Sequence, residues 1–190
     1  MIRIGILGNI GSGKSYVANN LGYPVFDADY EVEKLYKKNK KIFLKLNKIL
    51  PKIIKSFPVE KKEITEAILK KKGNLQKIIK IVHTEIRKKL NFFLRKNKKR
   101  KFVVLDVPLL LENKLNKKGD ILIFIDSKKS DILKKIKKRK NFNKRLFNKF
   151  QKIQFSSKFK MKKSHFIIKN DFTKKTVNTN IKNILQKIKQ

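Results

Sequence analysis

Eight consecutive residues near the N-terminus, Gly8-Asn9-Ile10-Gly11-Ser12-Gly13-Lys14-Ser15, constrain this chain more than any other feature. They fit G-x-x-x-x-G-K-[ST] without exception. They lie between an apolar, β-branched run (Arg3 to Leu7) and a segment of helical character over 15–21 that Gly22 and Pro24 stop. A loop that wraps a polyphosphate must come so close that side chains are excluded, and glycine supplies the backbone angles. Successive N–H groups then converge on the anion, and the helix that follows adds its positive end. In such a loop Lys14 reaches the β- and γ-phosphates and the Ser15 hydroxyl coordinates Mg2+. The loop alone leaves open a kinase, a GTPase, an ATPase motor and a repair protein. A chain of 190 residues has little room for a motor's further machinery, and no N-K-x-D guanine-specificity motif is present.

The remaining pattern predicts an α/β fold. Pro24-Val25-Phe26, Phe102-Val103-Val104-Leu105, Asp120 to Ile125 and Phe166-Ile167-Ile168 read as short strands. They end at Asp27 and Asp29, Asp106, Asp126 and Asn170 respectively. Strands without polar alternation, separated by helices, predict a parallel sheet covered on both faces, a three-layer arrangement. From Tyr30 to about Lys99 apolar residues recur at helical spacing, as in Leu75, Ile78, Val82, Ile86 and Leu90, so this stretch reads as a helical insertion. Residues 128–160 are lysine-rich with a helical period, and a closing helix is expected over 174–189.

The net charge of +38, from 52 basic and 14 acidic residues, raises the question of a polyanionic partner. Composition answers it differently. Only Arg3, Arg87, Arg95, Arg100, Arg139 and Arg145 are arginine, whose bidentate fork nucleic-acid sites favour. Lys, Ile, Asn and Phe, all with A/T-rich codons, fill over half the chain. Codon bias with lysine at solvated positions is the preferred reading, and no specific nucleic-acid partner is expected. There is no cysteine for a disulfide or a thiolate metal site. No apolar run approaches the ~18 residues of a membrane span, and the N-terminal run is too short for a signal peptide. The expectation is a cytoplasmic protein without a membrane association, monomeric or weakly homo-oligomeric.

Two acidic constellations narrow the chemistry. Asp27-Ala28-Asp29 falls where a parallel sheet presents its ligand crevice. Carboxylates there suit orienting or deprotonating an acceptor hydroxyl, or holding magnesium waters; an Asx turn or helix cap is the plainer alternative. Asp106-Val107-Pro108-Leu109-Leu110-Leu111-Glu112 puts a carboxylate at a second strand end, followed by leucines that suit the core. For His83 and His165 the plainer alternative is a hydrogen-bonded packing histidine.

These motifs, in this order, resemble the dephospho-coenzyme A kinase family. The phosphate loop, the D-A-D of Asp27 to Asp29, and the D-V-P-L-L-x-E of Asp106 to Glu112 carry the likeness. His83-Thr84-Glu85-Ile86-Arg87 stands for the family's H-P-x-I-R. Arg139 and Gln151 fall at its lid positions, and Ser164 to Asn170 stand for A-D-x-x-I-x-N. The resemblance implies a P-loop kinase core with strand order 2-3-1-4-5, built from 1–30, 100–127 and 164–190. It implies a helical acceptor-binding subdomain over 31–99 and a lid over about 134–162. The implied reaction transfers the γ-phosphoryl of ATP, with Mg2+, to the ribose 3′-hydroxyl of dephospho-CoA. Asn9, Ile10, Gly11, Ser12, Gly13, Lys14, Ser15 and Tyr16 would bind the nucleotide, with Ser15 on the metal. Asp29 would be the base, and Lys14 and Arg139 would stabilise the transferring group. Asp27, Asp29, His83, Arg87, Asp106, Pro108 and Leu109 would line the acceptor site. Departures from the family pattern are Asn9 for glycine, Tyr16 for Ser or Thr, Thr84 for proline and His165 for aspartate. The rivals are a P-loop kinase acting on a nucleoside monophosphate or another small alcohol, and a basic nucleic-acid-binding protein.

Overall fold

A computed structural model describes residues 1–139 and 142–189. The elements run β1 (Ile2–Gly8), α1 (Lys14–Asn20), β2 (Val25–Asp27), α2 (Ala28–Lys38), α3 (Lys40–Ile49), α4 (Lys61–Lys70) and α5 (Asn74–Lys96). They continue with β3 (Phe102–Asp106), β4 (Ile121–Asp126), α6 (Lys129–Lys137), α7 (Lys144–Lys152), α8 (Ser157–Lys163), β5 (Phe166–Lys169) and α9 (Lys174–Lys189). The chain forms two compact units: Met1–Asp27 together with the chain from Asn97 onward, and Ala28–Lys96. Among the described residues no helix is long and apolar enough to cross a membrane.

The first unit is built on a five-stranded sheet, every pair parallel, in the order β2-β3-β1-β4-β5. This is the α/β fold and strand order expected. Ile4, Ile6, Val104, Ile123, Ile125 and Ile168 project from the sheet onto Val17 and Ala18 of α1, Leu21 at its C-terminal cap, and Val177, Ile181 and Ile184 of α9. Alternate residues face the other way: a Cβ on Gly5 would meet Leu110 and Leu122. With both faces covered, the strands are apolar throughout, and that is why they show no alternation in the sequence. One charge interrupts β1. Arg3 is buried and donates to both carboxylate oxygens of Asp120 (2.8 and 2.6 Å) and to the Leu115 carbonyl (2.8 Å). Asp120 also accepts the Lys117 N–H, so it turns the chain into β4 instead of joining the strand.

All five strands point the same way, so their C-terminal ends share one edge of the sheet. Gly8, Asp27, Asp106 and Asp126 all terminate strands there, which is where a parallel sheet presents ligands. The lysine-rich stretch read as one helical region is three helices, α6, α7 and α8. Asn143 caps α7 by accepting the Leu146 N–H, and Ser156 caps α8 by accepting the Phe159 N–H. α7 buries none of its residues.

The second unit is all-helical, as its period predicts. Leu75, Ile78, Val82, Ile86 and Leu90 form one buried stripe along α5, against which α2, α3 and α4 pack. A capping box between Glu60 and Glu63 starts α4.

Candidate active site

The phosphate loop joins β1 to α1 and has the required shape. Gly11 and Gly13 adopt φ of 82° and 87°, the left-handed region that glycine alone enters freely. The protein itself also excludes a side chain at both. A Cβ on Gly11 would strike Ile136 of α6, and a Cβ on Gly13 would strike the Asn170 amide. The loop is therefore gripped from outside by α6 and by the end of β5. The Asn170 amide donates to the Ser12 carbonyl (2.8 Å), and the Ser127 hydroxyl donates to the same oxygen (3.1 Å). These bonds hold the Ser12 carbonyl, while the Ser12 N–H bonds back to the Asn9 carbonyl (3.1 Å), so the loop is braced in the shape in which its other N–H groups can meet an anion. Ser12 Oγ is fully buried and has no hydrogen-bond partner among the described residues. Lys14 lies across the loop, its ammonium donating to the Asn9 carbonyl (2.8 Å) and the Gly8 carbonyl (3.3 Å).

Two carboxylates stand beside the loop. Asp27 and Asp106 are register partners on β2 and β3. Asp106 is only 4% exposed. Burial raises its pKa, and the Asp27 charge adds to the rise; the Ser15 hydroxyl bonded to the carboxylate and the Lys14 ammonium offset part of it. A hydroxyl and a carboxylate side by side offer hard oxygen donors of the kind Mg2+ takes. Among the described residues no group of three or more His, Asp or Glu could hold a metal alone. A cation here must complete its shell with water and phosphate oxygens, which is Mg2+ behaviour in phosphoryl-transfer sites. The residues fit that ion.

The other expected site residues are distributed as follows. Pro108 and Leu109 lie on the β3–β4 connection, where Leu109 adopts φ 60° and aims the chain so that Leu110 and Leu111 are buried. Tyr16, in the first turn of α1, is 39% exposed, so its bulk is accommodated at the surface. Arg139 follows α6, exposed, its N–H bonded to the Ile136 carbonyl; α6 is the helix that grips Gly11. Asp29, in the first turn of α2, and His83 and Arg87, one turn apart on α5, belong to the helical unit. Burial lowers the His83 pKa, and the Arg87 charge adds to it, which favours a neutral imidazole. The loop, Asp27 and Asp106 thus share one unit, and Asp29, His83 and Arg87 share the other.

Several long-range contacts of residues named in the sequence were not legible there. Asn170, in the sequence a strand end and a family motif residue, braces the loop. Asn9, where the family has glycine, exchanges hydrogen bonds with Ser157 of α8 (2.9 and 3.2 Å). Glu112, known only as the end of a motif, accepts the Phe155 N–H (2.8 Å) and pairs with the Lys160 ammonium (3.3 Å). His165, in place of the family's aspartate, accepts the Leu122 N–H at Nδ1 (2.9 Å) and joins β4 to the approach of β5.

Comparison with known proteins agrees with this geometry. The dephospho-CoA kinase family model matches residues 2–176. A dephospho-CoA kinase of Wolbachia pipientis wMel is 34% identical over 190 residues, with 97% of each chain covered. One from Fusobacterium nucleatum is 30% identical, covering 98% of this chain and 95% of the relative. A Thermus thermophilus crystal structure superposes with a TM-score of 0.78 at 23% identity, covering 98% of this chain and 97% of its own. The Campylobacter jejuni dephospho-CoA kinase gives 0.64 at 24% identity, with 98% and 96% covered. The family match spans strand, loop, helical insertion and closing strand alike, and the chain belongs to the dephospho-CoA kinase family.

Proposed function

We infer that this protein phosphorylates the ribose 3′-hydroxyl of dephospho-CoA with ATP, giving CoA and ADP. The observation that carries this reading is the intact phosphate loop, with Ser15 bonded to Asp106 at the strand-end edge, in a chain that the family covers almost throughout. Phosphoryl transfer asks a protein mainly for positioning and charge neutralisation. The N–H groups of residues 9–15 would cradle the β- and γ-phosphates. Lys14 would exchange its bonds to the Gly8 and Asn9 carbonyls for phosphate oxygens, a short movement of the same ammonium. Ser15 and Asp106 would hold Mg2+, which would supply positive charge to offset that of the phosphates. A cation there would favour the Asp106 carboxylate, against the burial and the Asp27 charge that raise its pKa.

On the acceptor side, Asp29 would take the 3′-hydroxyl proton as the oxygen attacks the γ-phosphorus. Asp27, Pro108 and Leu109 would shape the acceptor site beside the loop, and His83 and Arg87 would receive the acceptor from the helical subdomain. Arg139, carried on a lid over about 134–162, would neutralise the transferring group and help exclude water. The test is ADP formation from Mg-ATP in near-physiological salt with dephospho-CoA, AMP, CMP or pantetheine as acceptor. ADP output raised by dephospho-CoA alone, with CoA detected by mass spectrometry, is the expected result. Turnover with a different acceptor, or none from folded protein, overturns the assignment.

A further inference from the structure

Of the 46 lysines in this chain, Lys160 is the one that lies buried among the described residues. Its side chain is 3% exposed, and its ion pair is with Glu112, 9% exposed, at 3.3 Å. The same Glu112 oxygen accepts the Phe155 N–H at 2.8 Å. Lys160 is on α8; Phe155 lies in the short connection from α7 to α8. Glu112 is six residues beyond Asp106, on the connection that leaves the site edge of the sheet. One turn before Lys160 on α8, Ser157 exchanges hydrogen bonds with Asn9, the loop residue whose carbonyl takes the Lys14 ammonium. Thus α8 is tied at two points, to the phosphate loop through Ser157 and to the Asp106–Glu112 connection through Lys160.

Burying an ammonium and a carboxylate costs desolvation that their attraction only partly returns, and a well-packed apolar pair often serves stability as well or better. Geometry is what a buried charged strut adds. Glu112 reads two separate parts of one segment, a backbone N–H before α8 and a side chain within it. It therefore fixes both the position of α8 and the direction from which α7 arrives.

Resting on the proposed kinase reading, we propose that Glu112 and Lys160 are positioning residues for phosphoryl transfer: their buried pair anchors α8, and with it the segment carrying α7, in register with the phosphate loop. Neither touches substrate in this scheme. Both act through Ser157 and Asn9 on the loop, and through Phe155 on the α7–α8 connection.

The experiment compares wild type with Glu112→Gln, Lys160→Arg, Lys160→Met and the double variant Glu112→Gln/Lys160→Met, measuring kcat, KM for ATP, KM for dephospho-CoA and Tm. Wild-type turnover of dephospho-CoA is the control for the kinase reading, and its absence would defeat that reading independently. Given wild-type turnover, Lys160→Met and the double variant should lose about 10- to 100-fold in kcat/KM for ATP, the scale of a misplacement of about an ångström. The loss should fall on kcat as well as KM. Lys160→Arg, which keeps the charge, should recover most of it. The double variant removes both charges and serves if a single variant does not fold. Wild-type kcat and KM in the folded double variant would overturn the proposal and leave the pair a stability element only. Unequal rates for Lys160→Arg and wild type, with Lys160→Met equal to wild type, would overturn it as well.

Discussion

Asp27 at the end of β2 and Asp106 at the end of β3 are register partners, two carboxylates held side by side on neighbouring parallel strands. Burial of Asp106 raises its pKa most, and the Asp27 charge beside it adds to the rise. The fold therefore holds a carboxylate beside the phosphate loop at a cost that a bound cation would relieve.

That arrangement predicts opposite effects of one substitution. The folded pKa of Asp106 lies above its unfolded value, so the native state binds more protons in the window just above the ordinary carboxylate pKa. Stability then falls as pH rises through that window. Asp106→Asn removes the cost. Without nucleotide and Mg2+, the variant should melt above wild type at neutral pH, and the gap should close at pH below 4. Its kcat/KM should fall by about 100-fold or more, and the Mg2+ concentration for half-maximal rate should rise. Thermal melts against pH and a Mg2+ titration check both halves; a variant less stable than wild type at pH 7 contradicts the account.

Asp29→Asn tests the proposed base. Loss of a general base costs about 100- to 10,000-fold in turnover. ATP affinity should be nearly unchanged, because the helical unit that carries Asp29 does not form the phosphate loop. Steady-state kinetics with equilibrium ATP binding separates the two quantities. Unaltered kcat removes Asp29 from the mechanism.

Asn170→Ala should weaken ATP binding more than it slows transfer. The amide fixes the Ser12 carbonyl and fills the space beside Gly13, while its Oδ1 accepts the Phe172 N–H (2.8 Å). A loop released at one carbonyl loses preorganisation for the phosphates. The expected result is KM for ATP up by about tenfold, the worth of one hydrogen bond of ~1.4 kcal/mol, with kcat changed less. Unchanged KM would assign Asn170 to strand termination alone.

His165→Asp should keep the stability of the protein and His165→Ala should not. The imidazole Nδ1 supplies an acceptor to the Leu122 N–H, and an aspartate oxygen supplies another. Alanine leaves that N–H without this partner, at a cost of about 1 kcal/mol, or about 2–4 °C in Tm for a chain of this size. Equal melting of the two variants would show that the bond does no stabilising. The family's aspartate and this chain's histidine are, on this view, two ways of presenting one acceptor.

Local information was enough for much of this protein. The Gly8–Ser15 motif, flanked by an apolar run and a helical segment, announces its own backbone shape, because glycine positions and hydrophobic period act within a few residues. The apolar strands ending in Asp27, Asp106 and Asp126 announced a parallel α/β sheet for the same reason, and the stripe from Leu75 to Leu90 announced a helix. What the pattern omitted are the pairings across the chain. Arg3 meets Asp120 at a separation of 117 residues, and Asn170 meets Ser12 at 158. Period and motif carry no record of such distances; only the strand order β2-β3-β1-β4-β5 brings those residues together. Lys160 shows the limit most plainly. Among 46 lysines nothing in its neighbours marks it, since Lys158, Lys162 and Lys163 around it are all exposed. Its burial against Glu112 is a property of how α8 lies on the sheet, decided by packing that no local window contains.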